Sequence, residues 1–99
     1  MLVKVTQKHI DKGRPADCSF CPIANALREL LHEDYYPHVS SAIYQIKETN
    51  TGLVVKEGRL PTIAIDFISS FDGPIYLDRS GSKPFEFDID IPSKCLKGA

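Results

Sequence analysis

The chain has 99 residues, 42% of them hydrophobic and 25% charged, which is the make-up of one globular domain with a modest core. Its net charge is −1 and is spread evenly: six Lys/Arg against six Asp/Glu in residues 1–50, six against seven in residues 51–99, so no basic half or run argues for nucleic acid. No apolar run reaches the ~18–20 residues of a membrane span, and Lys4, Lys8, Asp11 and Lys12 break up any signal core at the N-terminus, so the expected compartment is the cytoplasm.

Leu2–Val5 reads as a short strand, and Thr6 as the cap of a helix over Gln7–Lys12. Gly13 stands where helices commonly end in a left-handed residue, and 14–17 is a loop. A second helix opens at Pro22, where the missing N–H is no loss. Ile23, Leu27, Leu30 and Leu31 make its apolar stripe, Ala24 and Ala26 flank it, and the helix is predicted to end near 32–34, because Tyr36 precedes Pro37. Val39–Ile46 is rich in β-branched and aromatic residues and is predicted as one strand. Residues 48–52 carry turn chemistry, and Leu53–Val55 returns as a hairpin arm that Gly58 ends.

Residues 60–72 carry two patterns. Leu60, Ala64, Phe67, Ile68 and Phe71 form a helical stripe, whereas Ile63, Ile65 and Phe67 alternate. Length, Pro61 at one end and Asp72-Gly73-Pro74 at the other favour the helix. Ile75–Leu77 is a short extended piece and 78–84 a loop. Phe85–Ile91 alternates strictly, with Phe85, Phe87, Ile89 and Ile91 facing the core and Glu86, Asp88 and Asp90 facing water. The expected fold is α+β: a small antiparallel sheet, two main helices on one face and a short N-terminal helix. Residues 1–92 form the single domain and 93–99 a loose tail.

Chemistry is sought first at Cys18-Ser19-Phe20-Cys21, which abuts a helix start. The helix dipole and the free amides of the first turn stabilise a thiolate there. A redox pair of the thioredoxin kind follows a buried strand, however, and here a polar loop precedes the motif. Cys18 and Cys21 also make half a tetrahedral zinc site. The remaining ligands would come from Cys95, His9, His32 or His38, none of which forms a second close pair. The bland reading makes Cys21 a small buried residue at the helix cap and gives Cys18 no role.

His9 could meet Cys21 as base to nucleophile, although no third member or oxyanion site is evident; its structural alternative is bonding to nearby backbone. Tyr35, Tyr36 and His38 suit an interface or a core edge. Glu86, Asp88 and Asp90 suit a basic partner, a divalent cation or mimicry of nucleic-acid phosphates, or simply the wet face of a strand. If the Phe85–Ile91 strand lies at a sheet edge, it could pair with its copy in a homodimer, against the repulsion of those three carboxylates.

Thr6-x-x-His9-Ile10-x-x-Gly13 followed by Cys21-Pro22-Ile23-Ala24-x-Ala26-Leu27 resembles short uncharacterised proteins encoded by bacteriophages and prophages. Arg59-Leu60-Pro61, Phe67-Ile68-x-x-Phe71-Asp72 and Lys83-Pro84-Phe85-Glu86-Phe87 agree more loosely. The block at Cys21 is the stable feature of that group, and Cys18 falls outside it. The resemblance implies viral origin, a bacterial host cytoplasm, a role accessory to infection and no established activity. Together these readings predict a non-enzyme without a required cofactor. Its expected partner is a host or viral protein rather than nucleic acid or a membrane, and inhibition of a host defence or enzyme is one concrete form. A zinc- or thiol-dependent domain built on Cys18 and Cys21 is the alternative.

Overall fold

The computed structural model describes residues 1–14, 17–71 and 83–98. The expected segments at 72–82 lie outside them. The described elements are β1 (Leu2–Val5), α1 (Gln7–Lys12), α2 (Pro22–Leu30), β2 (Tyr35–Val39), β3 (Ile43–Glu48), β4 (Val54–Arg59), α3 (Thr62–Phe71) and β5 (Phe85–Asp88). The class is α+β. The described strands divide into two antiparallel sheets rather than one: β1 with β5, and β2-β3-β4 in that order.

α2 lies at the centre and packs on α1, β1 and β2. Its apolar stripe puts Ile23, Ala24 and Leu27 at zero exposure. Val3 and Val5 come in from β1, Ile46 from β3 and Leu60 from the start of the α3 segment. Alternation from β5 on to Ile91 is realised as read: Phe87, Ile89 and Ile91 are buried, Phe85 is half-buried, and Glu86, Asp88 and Asp90 are exposed. Val3 stands opposite Phe87 and Val5 opposite Phe85. Beyond β5 the ladder continues, the Met1 ammonium donating to the Ile89 carbonyl at 3.0 Å and the Ile89 N–H to Met1 at 3.1 Å. Rings join α3 to this sheet, with Phe67 and Phe85 centroids 4.6 Å apart, so the helical stripe over 60–72 outweighs its competing alternation. The Tyr44 hydroxyl ties the two sheets, donating to the Asp90 carbonyl at 2.7 Å.

Several boundaries differ from the sequence reading: α2 ends at Leu30 rather than near 32–34, β5 ends at Asp88 rather than Ile91, and three further differences are larger. The strand predicted over Val39–Ile46 is two strands. Ser40-Ser41-Ala42 turns the chain, with the Ser40 N–H donating to the Ile43 carbonyl at 2.9 Å. β2 instead begins at Tyr35, and Pro37 is tolerated because β2 is an edge strand. Gly58 does not end β4 but lies within it, opposite Tyr44; a Cβ there would come within 2.7 Å of the Tyr44 ring. The tail is not loose. Ser93–Cys95 forms a 3-10 turn, Cys95 has zero exposure, and Leu96 bridges to Leu31.

Thr6 caps α1 and Gly13 follows it, but Gly13 has φ −71° rather than a left-handed conformation. The need for glycine there is steric. A Cβ would lie 2.4 Å from Pro22 Cγ and 2.9 Å from the Pro22 backbone nitrogen. Gly13→Ala should therefore lower stability by about 1–3 kcal/mol, outweighing the ~0.4–1 kcal/mol that lost unfolded-chain freedom would add. A thermal melt unchanged or raised in this variant would refute that packing. By contrast, Gly52 has φ +73° in the β3–β4 turn, which only glycine adopts without cost.

Candidate functional site

The loop before α2 is tied to both sides. Asp17 Oδ1 accepts from the Ser19 and Phe20 amides at 2.9 and 3.1 Å. The Cys21 N–H donates to the Asp17 carbonyl at 3.0 Å, and Val39 N–H to the Cys18 carbonyl at 2.8 Å, docking the loop on β2. Cys21 is the N-cap of α2 and is 5% exposed; its Sγ accepts from the Ala24 N–H at 3.4 Å. Cys18 is half-buried beside a cleft of about 120 Å³ that Asp17, Cys21, Val39 and Ser40 also line.

The zinc reading finds no further ligands. Among the described residues, no group of three or more His, Cys, Asp and Glu side chains comes together. Cys95 packs at the other end of α2, where its carbonyl accepts from the His32 N–H at 2.8 Å. His32 Nδ1 lies 3.4 Å from Asp34. His38 is half-buried on β2, opposite Gln45.

His9 is oriented by backbone. The Thr6 N–H donates to its Nδ1 at 2.9 Å, and the His9 N–H returns to Thr6 Oγ1 at 3.5 Å, closing a capping box. A ring that accepts at Nδ1 carries its proton on Nε2. Nε2 lies 2.9 Å from Glu29 Oε1, an ion-pair contact, and makes no hydrogen bond among the described residues. The His9 side chain is 6% exposed and the Glu29 side chain 57%. The two ring nitrogens are thus turned to Thr6 and Glu29, and the Cys21–His9 nucleophile–base pair is not formed.

Around this pair lies the feature that the sequence concealed. Lys8, His9 and Lys12 of α1, then Arg14 and Phe20, then Asn25, Arg28 and Glu29 of α2, and finally Lys97, line a cleft of about 460 Å³. Among the described residues, five cations and one carboxylate line it. The Arg14 and Arg28 guanidinium carbons lie 5.4 and 4.7 Å from the centre of the Phe20 ring. Arg28 also donates to the Ser19 carbonyl and to Asn25 Oδ1, which fixes it against the loop. The local signals were Lys8 and Lys12 four residues apart, and Asn25, Arg28 and Glu29 on one face of α2. Nothing local joined them to Arg14 or Lys97.

Tyr35 and Tyr36 border a second cleft of about 470 Å³, whose lining also includes Arg28 and Lys97. The two clefts therefore adjoin. Glu86, Asp88 and Asp90 lie elsewhere, on and after β5, and each has a cation near it. Glu86 stands opposite Lys4 in the ladder. Asp88 Oδ1 is 3.9 Å from the Met1 ammonium, and Asp90 Oδ2 is 3.0 Å from Lys56 Nζ.

The Asp90 hydrogen bond raises the Lys56 pKa, while burial pushes up the Tyr44 hydroxyl and the Cys95 thiol. For all three the proton is held more tightly in the fold than in the unfolded chain. Their contribution is complete below the unfolded values and is lost as pH rises through the folded ones. Stability should therefore fall from about pH 9 upward. Urea midpoints that stay level between about pH 8 and pH 10.5 would contradict it.

Compared with known proteins, the chain matches no family model, no curated protein and no solved structure. No described helix is long and apolar enough to cross a membrane.

Proposed function

We propose that this is a non-catalytic binding protein, accessory to bacteriophage or prophage infection in a bacterial cytoplasm, that docks a negatively charged host or viral macromolecule in the cleft between α1 and α2. Inhibition of a host defence or enzyme is the concrete form this would take. The observation that supports the reading is the concentration of Lys8, Lys12, Arg14, Arg28 and Lys97 around one concavity, on a chain whose net charge is −1. Such an uneven field steers and selects oppositely charged partners. The fixed Phe20–Arg28 contact adds a preformed wall.

The test is affinity capture from bacterial lysate with the wild type and with a Lys12→Glu, Arg14→Glu double variant, at low and moderate salt. Both substituted side chains are exposed, so folding should survive. A specific partner should be lost with the charge reversal, and its affinity should drop about tenfold or more. Capture that is indifferent to both substitutions and to salt would remove the cleft from the account.

A further inference from the structure

Resting on the binding-protein reading, we propose that the cleft receives an extended acidic peptide segment, and that Glu29 occupies the place of a ligand carboxylate on His9. His9 is one of the residues that line the cleft, and its buried Nε2 is 2.9 Å from the Glu29 carboxylate, which also lines it, without a hydrogen bond among the described residues. A buried donor left without a well-aligned acceptor costs free energy that a better-placed anion recovers. Glu29 is mostly exposed and can move out; His9 is held by the Thr6 amide and stays. The chain thus supplies its own carboxylate at the point where a ligand's would bind.

Two features favour a peptide over a nucleic-acid strand. First, Arg14 and Arg28 both lie over the exposed Phe20 ring, so a base stacking there would have to compete with two guanidinium groups. Second, five of the twelve Lys/Arg line this cleft, and outside it the carboxylates outnumber the cations. A polyphosphate backbone running beyond the cleft would be repelled, whereas a short acidic segment would end within it. The adjoining cleft at Tyr35 and Tyr36 extends the path past Arg28 and Lys97. That length suits an extended segment rather than a single small anion, with tyrosines available to an apolar side chain of the ligand.

The experiment measures fluorescence anisotropy of labelled hexaglutamate, labelled hexaglutamine and labelled oligo-dT with the intact protein. Hexaglutamate should bind and hexaglutamine should not. Glu29→Gln should tighten hexaglutamate binding about threefold, by removing the internal competitor, and Arg14→Glu should weaken it about tenfold. Nitrogen NMR of the His9 imidazole gives an independent readout: its Nε2 signal should move on adding hexaglutamate, while Nδ1 keeps its acceptor state. Oligo-dT binding that Arg14→Glu abolishes, with no hexaglutamate binding, would overturn this proposal and leave the cleft as a binding site. Glu29→Gln that weakens hexaglutamate binding or leaves it unchanged would overturn the stand-in role. If no ligand binds and lysate capture ignores the charge reversal, the binding-protein reading itself fails.

Discussion

Leu27→Ala should cost about 2–5 kcal/mol, and the urea midpoint should fall by on the order of 2 M. Leu27 has zero exposure, and it lies on the helix that packs against α1, β1 and β2. Truncation removes its buried methyl groups and leaves a void in the core that the surrounding structure closes only in part. A domain of this length holds about 5–15 kcal/mol in total, so this one change consumes a large share. The cleft should loosen with it, because α2 carries Asn25, Arg28 and Glu29 on the face opposite the core. A midpoint within experimental error of the wild type would show that α2 is not the centre of the fold.

The second large effect is expected from a chain ended at Pro92. That variant should lose about 2–4 kcal/mol, with Tm lower by about 10–20 °C. Cys95, at zero exposure, would be gone, and Leu31 would lose its bridge to Leu96. The Leu30 carbonyl would lose the Lys97 N–H at 2.9 Å, and the His32 N–H would lose the Cys95 carbonyl at 2.8 Å. Removal of Lys97 also opens both clefts, which share it. The stability effect can be separated from the cleft effect. Lys97→Ala should leave Tm nearly unchanged, since its side chain is exposed, yet weaken anion binding. If the truncated chain melts with the wild type, residues 93–98 carry no structural load and the loose-tail reading was sound.

Local sequence was informative wherever one element decides its own form. Thr6 and Pro22 mark helix starts because a cap or a missing N–H acts within one turn. Both helices begin beside them. Strict alternation from Phe85 set which side chains of β5 are buried, since pleating leaves no other choice. The helix over Thr62–Phe71 was legible from its stripe and its boundaries. Even the bland reading of Cys21, as a buried helix cap, follows from its place before Pro22.

Tertiary structure decided the rest. Gly13 is glycine on account of Pro22, nine positions away, rather than through its own φ. Gly58 is determined by Tyr44 across the strand pair. The tail is held by Leu30, Leu31 and His32, contacts that no periodicity encodes. The division into two sheets also rests on pairing, which alternation leaves open.

The cleft is the clearest instance of that divide. By itself, the sequence determined an α+β domain, its helix starts, the inward face of its last strand and a near-zero, evenly divided charge. An even distribution along the chain is silent about distribution in space. Electrostatic potential sums over distance, not over sequence separation. Only folding brings Lys8, Arg14, Arg28 and Lys97 to one cavity around a buried histidine.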